Sequence, residues 1–236
     1  MPGTLYLIPS TLGPGAIDTI PERTLLVTRQ LRHFVVETGK VARAFLKEVG
    51  LDHPLQECSY RELNKRTRPD ELPAFLAAAL DGHDVGLLSD AGAPGVADPG
   101  AGLVRLAHEL GVAVVPLVGP SSILLGLMAS GLNGQSFAFH GYLSPKRPQL
   151  AKDLRRLEVD SRRHKQTQLW IEAPYRNQAM VEVVTQSLSP TTLFSVAADL
   201  TTDTEWIKTA PVGQWGADAG AALHKRPALF LLLATA

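Results

Sequence analysis

The feature that most constrains the fold is an order of segments repeated through the first half of the chain, in which helix-like stretches alternate with short apolar runs. Helical spacing of apolar residues, with a glycine at or just beyond the end, marks residues 40–50, 71–80 and 103–110. The apolar runs are residues 5–9, 31–36, 85–88 and 112–118. Strands joined through helices pair in parallel, so this order predicts a mostly parallel sheet covered by helices.

A change in sequence pattern after residue 117 predicts a second domain. The later segments are helices at 121–128, 149–157 and 177–188 and strands at 136–142, 168–172, 193–198 and 229–233. These elements do not alternate regularly, which is typical of an α+β arrangement. We therefore expect an α/β fold in two parts, an α/β domain over residues 1–117 and an α+β domain over residues 118–236.

Charge balance and cysteine usage exclude several classes of protein. Lys plus Arg and Asp plus Glu both number 23, so no global field attracts nucleic acid or an anionic membrane. Cys58 is the only cysteine, which excludes an internal disulfide, and we interpret it as a packing residue with no base beside it.

The histidines are scattered without close pairing, so we predict no metal. Without a signal-like start or a long apolar segment, we expect a cytoplasmic protein.

Two loops rich in glycine, proline and polar residues directly follow strand-like runs. Residues 89–100 come after the run that ends at Leu88, and residues 118–122 come after the next run. Loops at the carboxyl ends of parallel strands build ligand sites, and these two loops would lie at the same end of the sheet. Ordinary turns that cap the following helices are the alternative. Neither a Walker phosphate loop nor a GxGxxG fingerprint is present in the sequence, which disfavours a nucleotide phosphate site.

Several short motifs occur in an order that resembles one known family. They are the first run with Pro9, segments 89–94, 98–100, 119–122, 130–132 and 141–146, and Glu172-Ala173-Pro174-Tyr175-Arg176. The chain thereby resembles the class III, or tetrapyrrole methylase-like, S-adenosylmethionine-dependent methyltransferases. Within that family it is most similar to the branch that methylates a ribose 2′-hydroxyl in 16S ribosomal RNA. The resemblance implies a homodimer of two-domain subunits, with S-adenosylmethionine held in a cleft between the domains.

The resemblance also implies which residues contact the methyl donor. Small residues and backbone amides allow close approach to the adenine and methionine portions, and carboxylates can receive the donor's ammonium group. The positions that match the family's motifs are Pro9, Ser89, Asp90, Gly92, Asp98, Ser121, Ser122, Glu172, Ala173 and Pro174.

The acceptor side matches the family less well than the donor side. That branch usually carries Glu-Asp-Thr-Arg after the second strand, where this chain has Glu37-Thr38-Gly39-Lys40, and a histidine is missing from the motif at residues 60–64. Methyl transfer from a sulfonium mainly needs alignment and exclusion of water, although a hydroxyl acceptor benefits from a base. The candidates for this base are Glu37, Tyr60 and Lys146, and each of them is also open to a merely structural interpretation.

One local basic feature interrupts the neutral chain. Basic residues concentrate between Lys146 and Lys165, where they could bind phosphates of an RNA acceptor or form the solvated face of a helix. We interpret Trp170 and His140 as core residues. Three hypotheses remain open from the sequence: an RNA ribose 2′-O-methyltransferase, a methyltransferase of small molecules such as tetrapyrroles, and a cofactor-binding protein of this fold without turnover.

Overall fold

The chain divides into two compact units, Met1–Ser121 and Ser122–Ala236. A computed structural model describes residues 1–234, without the side chains of residues 217–219. Within these described residues each unit contains one five-stranded sheet. The predicted boundary after residue 117 falls just inside the first unit.

The first unit is a parallel sheet with strand order β3-β2-β4-β1-β5. Every strand pair that the structure describes in this sheet is parallel, as the alternating segments predict. The strands are Thr4–Ile8 (β1), His33–Val36 (β2), Ser59–Glu62 (β3), Val85–Leu88 (β4) and Ala113–Pro116 (β5). The helices are Glu22–Gln30 (α1), Gly39–Val49 (α2), Leu72–Phe75 (α3), Ala77–Leu80 (α4) and Ala101–Glu109 (α5).

Both faces of this sheet are covered, because successive residues of a strand point to opposite sides. Phe34 of β2 packs with Ile8 and Leu46 in the cluster that lies against α2. Its neighbour Val35 packs in a separate cluster on the other side, with Leu103 of α5. Strands β2 and β4 are therefore buried on both faces, which fits the continuous rather than alternating hydrophobicity of their runs, whereas edge strand β5 is mostly exposed.

The first unit differs from expectation in three elements. Strand β3 has the polar sequence Ser59-Tyr60-Arg61-Glu62 and forms at the sheet edge by pairing with β2, so its own pattern does not predict it. Helix α1 was not expected, because it is largely polar and follows Pro21 without a capping side chain. The predicted helix over 71–80 is two single turns with a break at Leu76, and Pro73 lies in the first turn of α3, where proline is tolerated.

The second unit is a mixed sheet with strand order β6-β7-β10-β8-β9. Strands β6 and β7 are parallel, and the other neighbours are antiparallel. The strands are Phe137–Tyr142 (β6), Thr167–Ile171 (β7), Leu193–Ala198 (β8), Trp206–Pro211 (β9) and Ala228–Leu233 (β10). The helices are Ser122–Ser130 (α6), Arg147–His164 (α7) and Asn177–Ser187 (α8). The expected α+β character is confirmed, and edge strand β9 is an addition.

The core of the second unit is aromatic on one face. Trp170, Phe194 and Phe230 lie on the three central strands as stacked rings with centroids 6.0–6.2 Å apart. All three side chains are fully buried, so Trp170 is a packing residue, as predicted. His140 is half-buried and its Nε2 lies 2.6 Å from Oε1 of Gln168, as expected for a hydrogen-bonded core histidine.

Helix α7 is twice as long as the predicted segment 149–157. It continues to His164 because Leu150, Leu154, Leu157 and Ser161 are all buried along one side. The helix ends where Lys165 takes a left-handed conformation with φ of 52°. In the part of the chain that the structure describes, no helix is long and apolar enough to cross a membrane.

Candidate functional site

The ends of strands β1, β2 and β4 lie side by side, since β4 pairs with both of the others. Pro9, Glu37 and Ser89 each come directly after one of these strands. The chain passes from β1 to β2 in one direction along the sheet and from β4 to β5 in the opposite direction, so the adjacent ends of β1 and β4 form a topological switch point. The sheet therefore brings the predicted loop residues of the first unit to one place.

The loop after β4 is held in one shape by hydrogen bonds with the loop after β1. Ser10 and Gly92 exchange two backbone hydrogen bonds, of 2.9 and 3.1 Å, and the Ser10 hydroxyl donates to the Ser89 carbonyl at 2.7 Å. The buried Ser89 hydroxyl donates to the Gly92 carbonyl at 3.0 Å. Gly92 has φ of 72°, a conformation that favours glycine. Ser89 and Gly92 thus shape the loop from within.

The segments that follow β1 and β5 also lie in close contact with each other. A Cβ atom on Gly119 would lie 2.2 Å from Cγ of Pro9, so only glycine fits at this position. The hydroxyl of Thr24 in α1 also donates to the Val118 carbonyl at 2.7 Å. Together these contacts fix the backbone that leads to Ser121, at the end of the first unit.

Three carboxylates, Glu37, Asp90 and Asp98, influence one another at this edge. Burial, and then the charge of Asp90, raises the pKa of Glu37. Burial, and then the charges of Glu37 and Asp90, raises the pKa of Asp98 to about 6, and Lys65 offsets part of this effect. Carboxylates brought together in this way oppose each other's ionisation, so the edge favours a cationic ligand group.

Thr38 contacts this cluster in a way that the sequence does not reveal. Its backbone amide donates to Oδ1 of Asp90 at 3.1 Å, and its hydroxyl donates to Oδ2 at 2.7 Å. In the sequence Thr38 marks only a departure from the family's Glu-Asp-Thr-Arg run. Because the contact depends on the pairing of β2 with β4, no local sequence signal identifies it.

Tyr60 lies in β3 and is packed away from the carboxylate cluster. Its ring stacks on Phe34 with centroids 5.9 Å apart, and Arg43 of α2 lies over it at 5.7 Å. Burial, together with the neighbouring Cys58, raises the pKa of Tyr60 to about 12. A phenol that keeps its proton so firmly is poorly suited to accept another group's proton near neutral pH.

The predicted site residues of the second unit follow its two parallel strands. Lys146 lies after β6 and is exposed, whereas Glu172, Ala173 and Pro174 come directly after β7. The buried Glu172 carboxylate accepts hydrogen bonds from the Ala173 amide and from Arg176, both at 2.6 Å. Glu172 therefore organises its own loop through an internal ion pair. Ser122 is the first residue of α6.

The histidines and the cysteine are closer to one another than the sequence suggests. The expectation that no base lies beside Cys58 is wrong, because His53 Nε2 is 3.3 Å from its Sγ, although burial raises the pKa of the thiol and disfavours the reactive thiolate. His33 and His83 are also paired, with ring centroids 5.2 Å apart. Among the described residues no group of three or more His, Cys, Asp or Glu side chains could hold a metal ion.

Comparison with known proteins identifies the family. The model of the tetrapyrrole (corrin/porphyrin) methylases matches residues 4–215. Ribosomal RNA small subunit methyltransferase I of Escherichia coli O157:H7 is 30% identical over 90% of this chain and 70% of its own length. The Pseudomonas aeruginosa protein of the same name is 33% identical over 74% of this chain, and the match spans only 58% of that relative's length.

Solved structures share the fold at low sequence identity. The methyltransferase CobJ is 17% identical, with a TM-score of 0.64 over 99% of this chain and 100% of its own. Uroporphyrin-III C-methyltransferase from Thermus thermophilus, solved with S-adenosylhomocysteine, is 17% identical, with a TM-score of 0.54 over 98% of this chain and 97% of its own. The chain therefore belongs to the tetrapyrrole methylase family and is a relative of ribosomal RNA small subunit methyltransferase I.

Proposed function

We propose that this protein transfers a methyl group from S-adenosylmethionine to a ribose 2′-hydroxyl of small-subunit ribosomal RNA. The observation that carries the proposal is the convergence of Glu37, Asp90 and Asp98 at the carboxyl edge of the first sheet, in a chain of this family. Family membership supports methyl transfer, and the names of the relatives support ribosomal RNA as the acceptor.

The first unit fits the donor by charge and by shape. S-adenosylmethionine supplies an activated methyl group on a sulfonium and also carries an ammonium group. Asp90 and Asp98 would hold the ammonium, which relieves the mutual repulsion of the cluster. Pro9, Gly92 and the backbone near Ser121 would line the rest of the donor, where the contact of Gly119 with Pro9 holds the strand exits close together.

Glu37 is the proton acceptor that we assign to the ribose hydroxyl. Its raised pKa makes it a stronger base than an ordinary carboxylate, although the nearby Asp90 backbone offsets part of that rise in pKa. Tyr60 is disfavoured by its pKa of about 12. Lys146 is exposed, and its ammonium form has no lone pair to accept a proton.

The acceptor would be held by the basic face of α7. Lys152, Arg155, Arg156, Arg162 and Arg163 are all exposed on this helix. Arg156 is paired with Asp160 at 3.7 Å, whereas the two arginines of the last turn extend the face toward the helix end. Clustered exposed arginines bind RNA phosphates through charge and bidentate hydrogen bonds.

The proposal includes a homodimer that works in the cytoplasm. A ribosomal RNA acceptor requires an enzyme located with the ribosome, and the resemblance implies two subunits. Exposed apolar side chains on α6, Leu124 and Met128, support a self-association surface. Neither a small-molecule acceptor nor binding without turnover gains support from a particular observation, and the relatives' names favour RNA.

Two experiments test this function, first calorimetry and then methyl incorporation. The purified protein should bind S-adenosylmethionine and S-adenosylhomocysteine in the presence of EDTA. With a radiolabelled donor it should then label small-subunit ribosomal RNA at a position where the chain becomes resistant to alkaline cleavage, because a methylated 2′-oxygen cannot attack its phosphate. Binding with incorporation only into small molecules would overturn the acceptor, and the absence of donor binding would overturn the whole proposal.

A further inference from the structure

Thr38 and Asp90 lie at matching positions beyond two paired strands. Val36 of β2 pairs with Leu88 of β4, so each of the two residues lies two positions past the last pair. This register carries Thr38 alongside Asp90 although they are far apart in sequence. The contact is therefore a direct continuation of the sheet.

The exit of β2 holds the carboxylate of Asp90. Thr38 donates both its amide and its hydroxyl to the two carboxylate oxygens of Asp90, at 3.1 and 2.7 Å. Glu37, the residue before Thr38, lies near the backbone of Asp90, which lowers its pKa against the effect of burial. The hydrogen bonds from Thr38 thus fix the side chain of Asp90 at the exit of β2.

The charges around Asp90 explain why such fixing is needed. Glu37 and Asp98 carry the same charge as Asp90, and their repulsion would turn a loosely held carboxylate away from the cluster. Thr38 adds two donors without adding another negative charge. Hydrogen bonds to an ionised acceptor are shorter and stronger than those between neutral groups.

We propose that Thr38 is a positioning residue that orients Asp90 toward the ammonium group of the methyl donor. The proposal rests on the donor binding assigned to this site in the proposed function. Thr38 is exposed and belongs to no core cluster of the described residues, so its hydroxyl serves the Asp90 contact rather than packing. It acts through Asp90 and need not touch the donor.

A double-mutant cycle on the full chain tests this role by calorimetry with S-adenosylhomocysteine. Thr38→Val keeps the side-chain shape and the backbone donor but removes the hydroxyl bond, so donor affinity should fall roughly tenfold or more, as for hydrogen bonds to charged groups. Thr38→Ser should restore most of this affinity. In the Asp90→Asn background, Thr38→Val should change affinity by less than about threefold, because its partner charge is gone.

The controls separate positioning from folding and from the proposed function itself. Thr185→Val removes a hydroxyl from α8 that bonds only within its own helix, and it should leave affinity unchanged. Thermal midpoints of Thr38→Val and the parent should agree. Parental binding with an unaltered Thr38→Val affinity would overturn the positioning role alone. An equal loss in both backgrounds would mean that Thr38 contacts the donor directly, and a parent that binds no donor would overturn both proposals.

Discussion

Among single residues, Asp98 lowers the stability of the folded protein near neutral pH because it lies in a cluster of carboxylates suited to a cationic ligand group. Its pKa of about 6 lies well above the ordinary 3.8 because of burial and the charges of Glu37 and Asp90. The folded state therefore binds more protons than the unfolded state between these two values. Stability contributed by this residue is fully present below the lower value and falls as pH rises to about 6.

Asp98→Asn should stabilise the protein near neutral pH and weaken donor binding. The amide removes the ionised carboxylate from beside two others, so the free energy of unfolding should rise by about 1 kcal/mol at pH 7.5 after solvent screening. At pH 4 the gain should shrink, which urea unfolding at the two pH values measures. Asp81→Asn, at an exposed position outside the cluster, is the control. A gain for Asp98→Asn that is equal at both pH values would contradict the electrostatic origin.

At the scale of elements, helix α7 combines a buried leucine row with a basic outer face. We expect the triple change Arg156→Gln, Arg162→Gln and Arg163→Gln to weaken RNA binding. The slope of the logarithm of the binding constant against the logarithm of salt concentration should become less steep, by an amount equivalent to up to about three lost phosphate contacts. The core row Leu150, Leu154 and Leu157 is untouched, so the fold should persist. Donor affinity should also stay unchanged.

A matched triple change tests whether position or total charge matters. Arg23, Lys47 and Arg105 are exposed on α1, α2 and α5, and replacing them with glutamine removes the same charge from the first unit. Fluorescence titrations of RNA across a salt series should separate the two triples. If both lower the slope equally, RNA binding follows net charge and α7 is only a solvated helix.

At the scale of the whole molecule, self-association is the property to measure. We expect light scattering at micromolar concentration to give twice the 25.4 kDa of one chain. Balanced charge, 23 basic against 23 acidic residues, imposes little repulsion between copies. The pair Leu124→Glu and Met128→Glu should shift the mass toward a monomer, because it places charge on the exposed apolar side of α6.

Val159→Glu is the control for that experiment, since Val159 is an equally exposed apolar residue on α7. It should leave the mass unchanged. A parental monomer would refute the dimer. If the protein remains a dimer with both α6 substitutions, the interface lies on a surface other than α6.

Most of the buried strands and the family can be predicted from the amino-acid sequence alone. The limits of β4 and β8 were predicted to the residue, because strands buried on both faces are apolar along most of their length. The order of short loop motifs predicted the tetrapyrrole methylase family, which the family match confirms. Both signals are visible along the chain without knowledge of which distant residues are in contact.

Features that depend on contacts between residues far apart in sequence could not be predicted in this way. Edge strands β3 and β9 form through backbone pairing with a neighbour. The residues of β3 are mostly polar and those of β9 are mixed, so neither side-chain pattern predicts a strand. The raised pKa of Asp98 and the hold of Thr38 on Asp90 arise only when parallel pairing brings the exits of β2 and β4 together. Charge and hydrogen bonding act over a few ångströms, and only the folded sheet sets those distances.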